Sequence, residues 1–74
     1  MGMGQRIREL REERELTVRA LSDRTGLAEN SIARIERGER MPGAASVEAI
    51  ARGLGVSPGE LFEEPALSGK AGAR

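Results

Sequence analysis

Two polar side chains near the middle of the chain have chemistry suited to base recognition. Asn30 and Arg34 lie four residues apart, so they share one face if the segment is helical. An asparagine amide can bond N6 and N7 of adenine, and an arginine guanidinium can bond O6 and N7 of guanine. A helix over about residues 28–37 would therefore present both groups to base edges in the DNA major groove.

The neighbouring residues add candidate contacts. Ala28 can touch a thymine methyl group, and Glu29 can accept a hydrogen bond from cytosine N4. Glu29 could instead serve the helix dipole, and Arg34 could instead bind a phosphate. We expect base contacts from Ala28, Glu29, Asn30 and Arg34, and phosphate contacts from Thr17, Val18, Arg19, Ser31, Arg37 and Arg40.

The composition argues against an enzyme. The 74 residues include no histidine and no cysteine, and Phe62 is the single aromatic residue. The usual general base and most zinc ligands are therefore missing, and we expect no catalytic residue, metal or cofactor. The sequence contains neither an apolar run of the roughly 20 residues that a membrane span needs nor a secretory signal. A cytoplasmic location is expected.

The net charge is less favourable for a DNA-binding protein. Twelve basic residues balance twelve acidic ones, whereas a nucleic-acid binder often carries a basic patch. Arg34, Arg37 and Arg40 cluster around the end of the candidate helix, while acidic residues gather at 60–64. This distribution permits a basic face, but it predicts weak non-specific binding and little long-range steering.

The segment from Leu16 to Gly38 supplies the elements that would position these side chains. Leu21 precedes Gly26, and Ile32 and Ile35 follow it at helical spacing. Glycine takes a positive φ at little cost, so one helix can stop there and the chain can bend. The pattern is typical of a helix-turn-helix, whose second helix enters the major groove. A generic helical hairpin is the alternative.

Apolar spacing and capping signals predict an all-α fold of five helices. Thr17 should cap the second helix, Gly38 should end the third, and Ser57–Glu60 should form a capping box with Pro58 at the first helical position. The helices are expected at about 4–15, from 18 to the turn at 26, 28–37, 46–54 and from 58 onward, with the fourth starting as early as 43.

One compact domain is expected over residues 4–64, followed by a flexible tail or linker at 65–74. Its small aliphatic core makes every buried position important for stability. The expected core residues are Ile7, Leu10, Leu16, Leu21, Leu27, Ile32, Ile35, Val47, Ile50, Ala51, Leu54, Val56, Leu61 and Phe62.

These motifs together resemble the Cro and phage-repressor type of helix-turn-helix protein, the XRE family. The ending Ile-Glu-x-Gly at residues 35–38, followed by Pro42, is distinctive. The resemblance covers about residues 4–63 and implies a five-helix, lambda-repressor-like, DNA-binding domain. The other matching residues are Ile7–Arg11, Leu16, Thr17, Leu21, Gly26, Ser31, Ile32, Ala51, Leu54–Pro58 and Leu61.

The resemblance also implies a structural ion pair between Arg11 and Glu36, which would link the first helix to the end of the third. A guanidinium suits this role because it can bind a carboxylate through two parallel hydrogen bonds. The alternative is that both residues are ordinary surface charges.

Three positions depart from the family pattern. Val18 stands where glutamine is common, Ala28 replaces a serine or threonine N-cap, and Ala20 replaces the glutamate that would complete a capping box with Thr17. These departures bear on affinity for an operator rather than on the fold.

The resemblance further implies a homodimer whose two reading helices meet half-sites about 34 Å apart, one turn of DNA. The candidate residues of the dimer surface are Leu54, Val56, Leu61, Phe62 and Leu67. The alternative is that these residues belong to the core of one monomer.

The main functional hypothesis is a sequence-specific, repressor-type transcriptional regulator of bacterial or phage origin that binds double-stranded DNA. The alternative is a protein-interaction module, either an antitoxin that holds a toxin or a bridging factor. Net neutrality and Val18 favour the alternative, whereas the polar residues of the candidate reading helix favour DNA. A third hypothesis is the N-terminal reader of a longer regulator.

Overall fold

The computed structural model describes residues 2–62, which form five α-helices and contain no strand. The all-α, five-helix prediction is confirmed. The predicted tail and Leu67 lie outside the described residues, and none of the five helices is long and apolar enough to cross a membrane. The helices are α1 (Met3–Glu13), α2 (Val18–Thr25), α3 (Glu29–Glu36), α4 (Ala44–Leu54) and α5 (Pro58–Phe62).

The predicted signals at the ends of α2 and α3 are present. The Ala20 N–H donates to Thr17 Oγ1 at 3.0 Å, so Thr17 caps α2. Gly26 and Gly38 follow α2 and α3 with φ of 78° and 80°, the left-handed conformation that glycine adopts at little cost. Ala28 gives α3 no side-chain cap, as its apolar side chain requires.

The start of α5 shows one half of the predicted capping box. The Ser57 N–H donates to Glu60 Oε2 at 3.4 Å, which is the bond that the third helical residue makes back to the N-cap. The Glu60 N–H donates to the Ser57 carbonyl oxygen at 3.0 Å. The Glu60 side chain and the Ser57 carbonyl thus each accept a hydrogen bond from a backbone N–H group at the start of this short helix.

A glutamate occupies a left-handed position between α1 and α2. Glu15 has φ of 56°, and it belongs to a Schellman motif in which its N–H donates to the Glu12 carbonyl and the Leu16 N–H donates to the Arg11 carbonyl, at 2.9 and 3.0 Å. For a residue with a Cβ atom this conformation costs about 1–2 kcal/mol.

Replacing this residue by glycine is expected to stabilise the domain. Glu15→Gly relieves the backbone strain but increases the entropy of the unfolded chain, so the net gain should be about 0.5–1 kcal/mol. The urea midpoint of unfolding measures it. Glu13→Gly, at the last residue of α1, should instead lower the midpoint. A lower midpoint for Glu15→Gly would contradict the expected strain.

The core lies where all five helices meet. Leu16, Leu27 and Val56, also predicted for the core, are half-buried against it. The prediction for Phe62 is wrong, because its side chain is 60% exposed; neighbouring residues on a helix point about 100° apart, and Leu61 takes the inward direction. The buried apolar residues are Ile7, Leu10, Leu21, Ile32, Ile35, Val47, Ile50, Ala51, Leu54 and Leu61.

Two glycines inside helices allow close contact between elements. A Cβ atom at Gly4 would collide with the Ile35 carbonyl oxygen of α3, and one at Gly53 would lie 2.8 Å from Thr25 Cγ2 of α2. Real Cβ contacts are longer than this, so neither site accepts a side chain without movement. The glycines therefore set how closely α1 approaches α3 and α4 approaches α2.

Candidate nucleic-acid interface

The turn between α2 and α3 is held by two hydroxyl groups. The Ser22 hydroxyl donates to the Leu27 carbonyl at 2.5 Å. The Thr25 hydroxyl donates to the Leu21 carbonyl at 2.9 Å and accepts from the Leu27 N–H at 3.2 Å. Sequence reasoning missed the role of Ser22, although hydroxyl residues beside a turn glycine are a recognisable signal. The bonds fix the angle at which α3 leaves α2.

The two faces of α3 differ sharply. Ile32 and Ile35 are buried in the core, whereas Asn30 and Arg34 are exposed. Ala28 and Glu29, at the start of the helix, are exposed as well, so the structure places all four predicted base-contact residues at the surface. The outer face of α3 therefore presents an amide and a guanidinium one helical turn apart.

The first turn of α2 presents backbone donors. Thr17 Oγ1 accepts from Ala20 alone among the N–H groups of this turn, and the first N–H groups of a helix have no intrahelical acceptor. The Val18 side chain packs against the core, so a phosphate contact at this residue would come from its N–H. Arg19, the next residue, is exposed.

The loop after α3 brings three charged side chains together. Arg37 donates to both carboxylate oxygens of Glu39, from Nε at 2.8 Å and from Nη2 at 3.1 Å. Arg34 Nε lies 3.9 Å from Glu39 Oε1. The hydrogen bonds with Arg37 hold the pKa of Glu39 below its usual range, and the same bonds raise the pKa of Arg37. Sequence reasoning did not single out Glu39.

Arg40, the third arginine of this region, reaches back to α3. Its Nη1 donates to Ser31 Oγ at 3.3 Å. Arg40 is exposed and Ser31 is half-buried. The structure thus brings two predicted phosphate-contact residues together on one side of α3.

Arg11 and Glu36 form a two-point ion pair. Arg11 Nε donates to Glu36 Oε2 at 2.7 Å and Nη2 donates to Oε1 at 3.0 Å, while Nη1 donates to the Leu16 carbonyl at 2.7 Å. The two side chains are only 12% and 7% exposed. The hydrogen bonds with Glu36 raise the pKa of Arg11 despite its partial burial. The pair ties the end of α3 to α1 and to the turn that follows α1.

Residues 3–64 match the helix-turn-helix domain family. The chain belongs to this family. The resemblance to Cro and phage-repressor proteins that the sequence predicts is confirmed, since relatives and solved structures point the same way.

A relative and two solved structures illustrate the similarity. The immunity repressor protein of Bacillus phage phi105 is 36% identical over 67 residues, which are 90% of this chain and 46% of that protein. The chain spans less than half the length of the curated relatives that it matches. The restriction-modification controller protein C.AhdI of Aeromonas hydrophila superimposes with a TM-score of 0.80 at 35% identity, over 81% of this chain and 91% of that one. The P22 c2 repressor in complex with a synthetic operator superimposes with a TM-score of 0.78 at 31% identity, over 82% and 92%.

Two other arginines of this helix-turn-helix domain bind backbone carbonyl groups of α4. Arg14 Nε donates to the Leu54 carbonyl at 2.6 Å, and Arg24 Nη1 donates to the Gly53 carbonyl at 3.1 Å. Both acceptors lie at the C-terminal end of α4, where helix carbonyls lack intrahelical partners. These arginines stabilise the fold, and the sequence carries no local signal that separates them from those near α3.

Proposed function

We propose that this chain acts as a sequence-specific, repressor-type transcriptional regulator that reads the major groove with α3. One observation carries the proposal. The inner face of α3 is anchored in the core by Ile32 and Ile35, while Asn30 and Arg34 project from the outer face of the same helix. In a helix-turn-helix domain this face is the one that meets base edges. The likeness to a repressor in complex with a synthetic operator supports the same conclusion.

The contacts divide into two groups. Asn30 and Arg34 bond purine edges through paired hydrogen bonds, and Ala28 and Glu29 approach the bases from the first turn of α3. Around them, sequence-independent contacts position the domain on the phosphates. These come from the N-terminus of α2 at Thr17 and Val18, and from Arg19, Ser31, Arg37 and Arg40.

We propose that the domain binds as a homodimer with one α3 in each of two successive major grooves. Leu54 and Leu61 are buried within one monomer, so they cannot form the dimer surface that the sequence suggested. Phe62 is 60% exposed and Val56 is half-buried, and these two side chains remain as apolar candidates near α5. A dimer requires half-sites about 34 Å apart.

Selection from a random duplex pool tests this function. The enriched sequences should contain two related half-sites one helical turn apart, and affinity should fall linearly with salt on a logarithmic scale. Arg40→Ala should weaken binding to the selected duplex and to a scrambled duplex alike, and it should reduce the salt slope by about one. Arg8→Ala, which removes an exposed arginine already held by Glu12 on α1, is the control and should change neither.

A pool without enrichment, together with no salt-dependent binding to any duplex, would contradict the proposal. The protein-interaction hypothesis, with a toxin or another protein as the partner, would then take its place. A single enriched half-site would retain DNA reading and contradict the dimer.

A further inference from the structure

Glu39 occupies an unusual position for an acidic residue, because its carboxylate lies among the side chains proposed to face DNA. It accepts two hydrogen bonds from Arg37 and lies near Arg34. We propose that Glu39 is an internal competitor of the DNA phosphates for Arg37, and thereby lowers affinity for any duplex. This inference rests on the proposed function.

The backbone holds Glu39 in this position. The Gly38 N–H donates to the Ile35 carbonyl at 3.0 Å, and the Glu39 N–H donates to the Arg34 carbonyl at 2.9 Å. This pair of bonds is a Schellman motif, which needs the positive φ of Gly38. Glu39 is therefore attached directly to the last turn of α3, two residues from Arg37. The geometry of the helix end thus brings its carboxylate to the guanidinium of Arg37.

The Arg37–Glu39 ion pair compensates the charge of Arg37, but it is weak enough for a DNA phosphate to take the place of the carboxylate. Arg37 and Glu39 are 54% and 51% exposed, and exposed ion pairs contribute little to stability. A phosphate can therefore displace the carboxylate. While the pair is intact, Glu39 compensates the charge of Arg37. Arg37 then neutralises less phosphate charge, so fewer counterions are released from DNA when the domain binds.

The protonation state of Glu39 supports competition at neutral pH. The hydrogen bonds from Arg37 hold the pKa of this carboxyl group below its usual range, and the charges of Arg37 and Arg34 act in the same direction. The carboxyl group of Glu39 is therefore anionic at neutral pH. A neutral isostere, by contrast, would leave Arg37 uncompensated.

Glu39→Gln tests the inference by direct comparison with a matched variant. Affinity should rise about two- to five-fold on both the selected and the scrambled duplex, because phosphate contacts carry no sequence information. The salt slope should steepen by about one. Glu12→Gln is the control: Glu12 is also exposed and also pairs with an arginine, Arg8, at 3.1 Å, and it gives the same change in net charge. It should change affinity by less than about two-fold.

A double-mutant cycle with Arg37→Ala shows whether Glu39 acts through Arg37. In the Arg37→Ala background, Glu39→Gln should lose most of its effect on affinity and slope. Equal melting temperatures for all variants would show that the fold is unchanged. An equal gain from Glu12→Gln, or a gain that persists without Arg37, would overturn the inference.

The outcomes also separate this inference from the proposed function. If the unmodified chain binds duplexes and Arg37→Ala weakens that binding, but Glu39→Gln changes nothing, then the inference is wrong and DNA reading stands. If the unmodified chain binds no duplex at any salt concentration, both are overturned.

Discussion

Arg11→Ala is expected to lower the free energy of unfolding by about 3–5 kcal/mol, whereas Arg8→Ala should lower it by less than about 1 kcal/mol. Removing Arg11 leaves the Glu36 carboxylate, 7% exposed, without its two-point partner. It also removes the donor to the Leu16 carbonyl. The side chains of Arg8 and Glu12 are 61% and 55% exposed, so water largely offsets the loss of a partner.

The comparison needs conditions under which both variants are folded. A loss of this size is a large part of the stability of a small domain, so unfolding should be followed in urea at low temperature. Replacing both Arg11 and Glu36 by apolar residues of similar volume should recover part of the loss, because no buried charge is then left unpaired. Equal unfolding midpoints for Arg11→Ala and Arg8→Ala would show that the Arg11–Glu36 pair contributes nothing beyond an exposed pair.

Asn30→Ala and Arg34→Ala are each expected to cost about 1–3 kcal/mol of binding to the selected duplex, which is a loss of roughly 5- to 150-fold. Each should also relax the preference for one base pair in each half-site. The fold should survive, because both residues are exposed and the core residues of α3 point the other way. Affinities for the selected and scrambled duplexes, measured with melting temperatures, test both statements.

Arg34 gives the sharper outcome of the two. If Arg34→Ala weakens both duplexes equally, Arg34 contacts a phosphate and its assignment to a base is wrong. If neither Asn30→Ala nor Arg34→Ala changes preference at any base pair, α3 is not the reading helix. Arg34→Lys adds a check, because lysine keeps the charge but lacks the planar guanidinium fork that matches the O6 and N7 acceptors of guanine.

Much of the fold could be predicted because its signals are local. The cap of α2 at Thr17, and the turns at Gly26 and Gly38, depend on a few consecutive residues, so they can be read without the rest of the chain. The inward faces of α3 and α4 follow from helical spacing. The Arg11–Glu36 pair needed the family resemblance, because 25 residues separate the partners and neither residue is unusual by itself.

The tertiary structure alone decided which side chains are available. It turned Phe62 outward, and it placed Gly4 and Gly53 where helices nearly touch. It also directed Arg14 and Arg24 to the carbonyls of α4. Each of these outcomes depends on atoms from a distant part of the chain, so no local sequence pattern could have predicted it.

The same distinction between local and distant determinants applies to the candidate site. The sequence by itself determined that Asn30 and Arg34 share a helical face and that this face lies opposite Ile32 and Ile35, since both follow from the geometry of one helix. The tertiary structure decided that Arg40 reaches Ser31, nine residues earlier in the chain. The directions of long, flexible side chains depend on the partners that folding brings within hydrogen-bond distance, and spacing along the chain does not specify those partners.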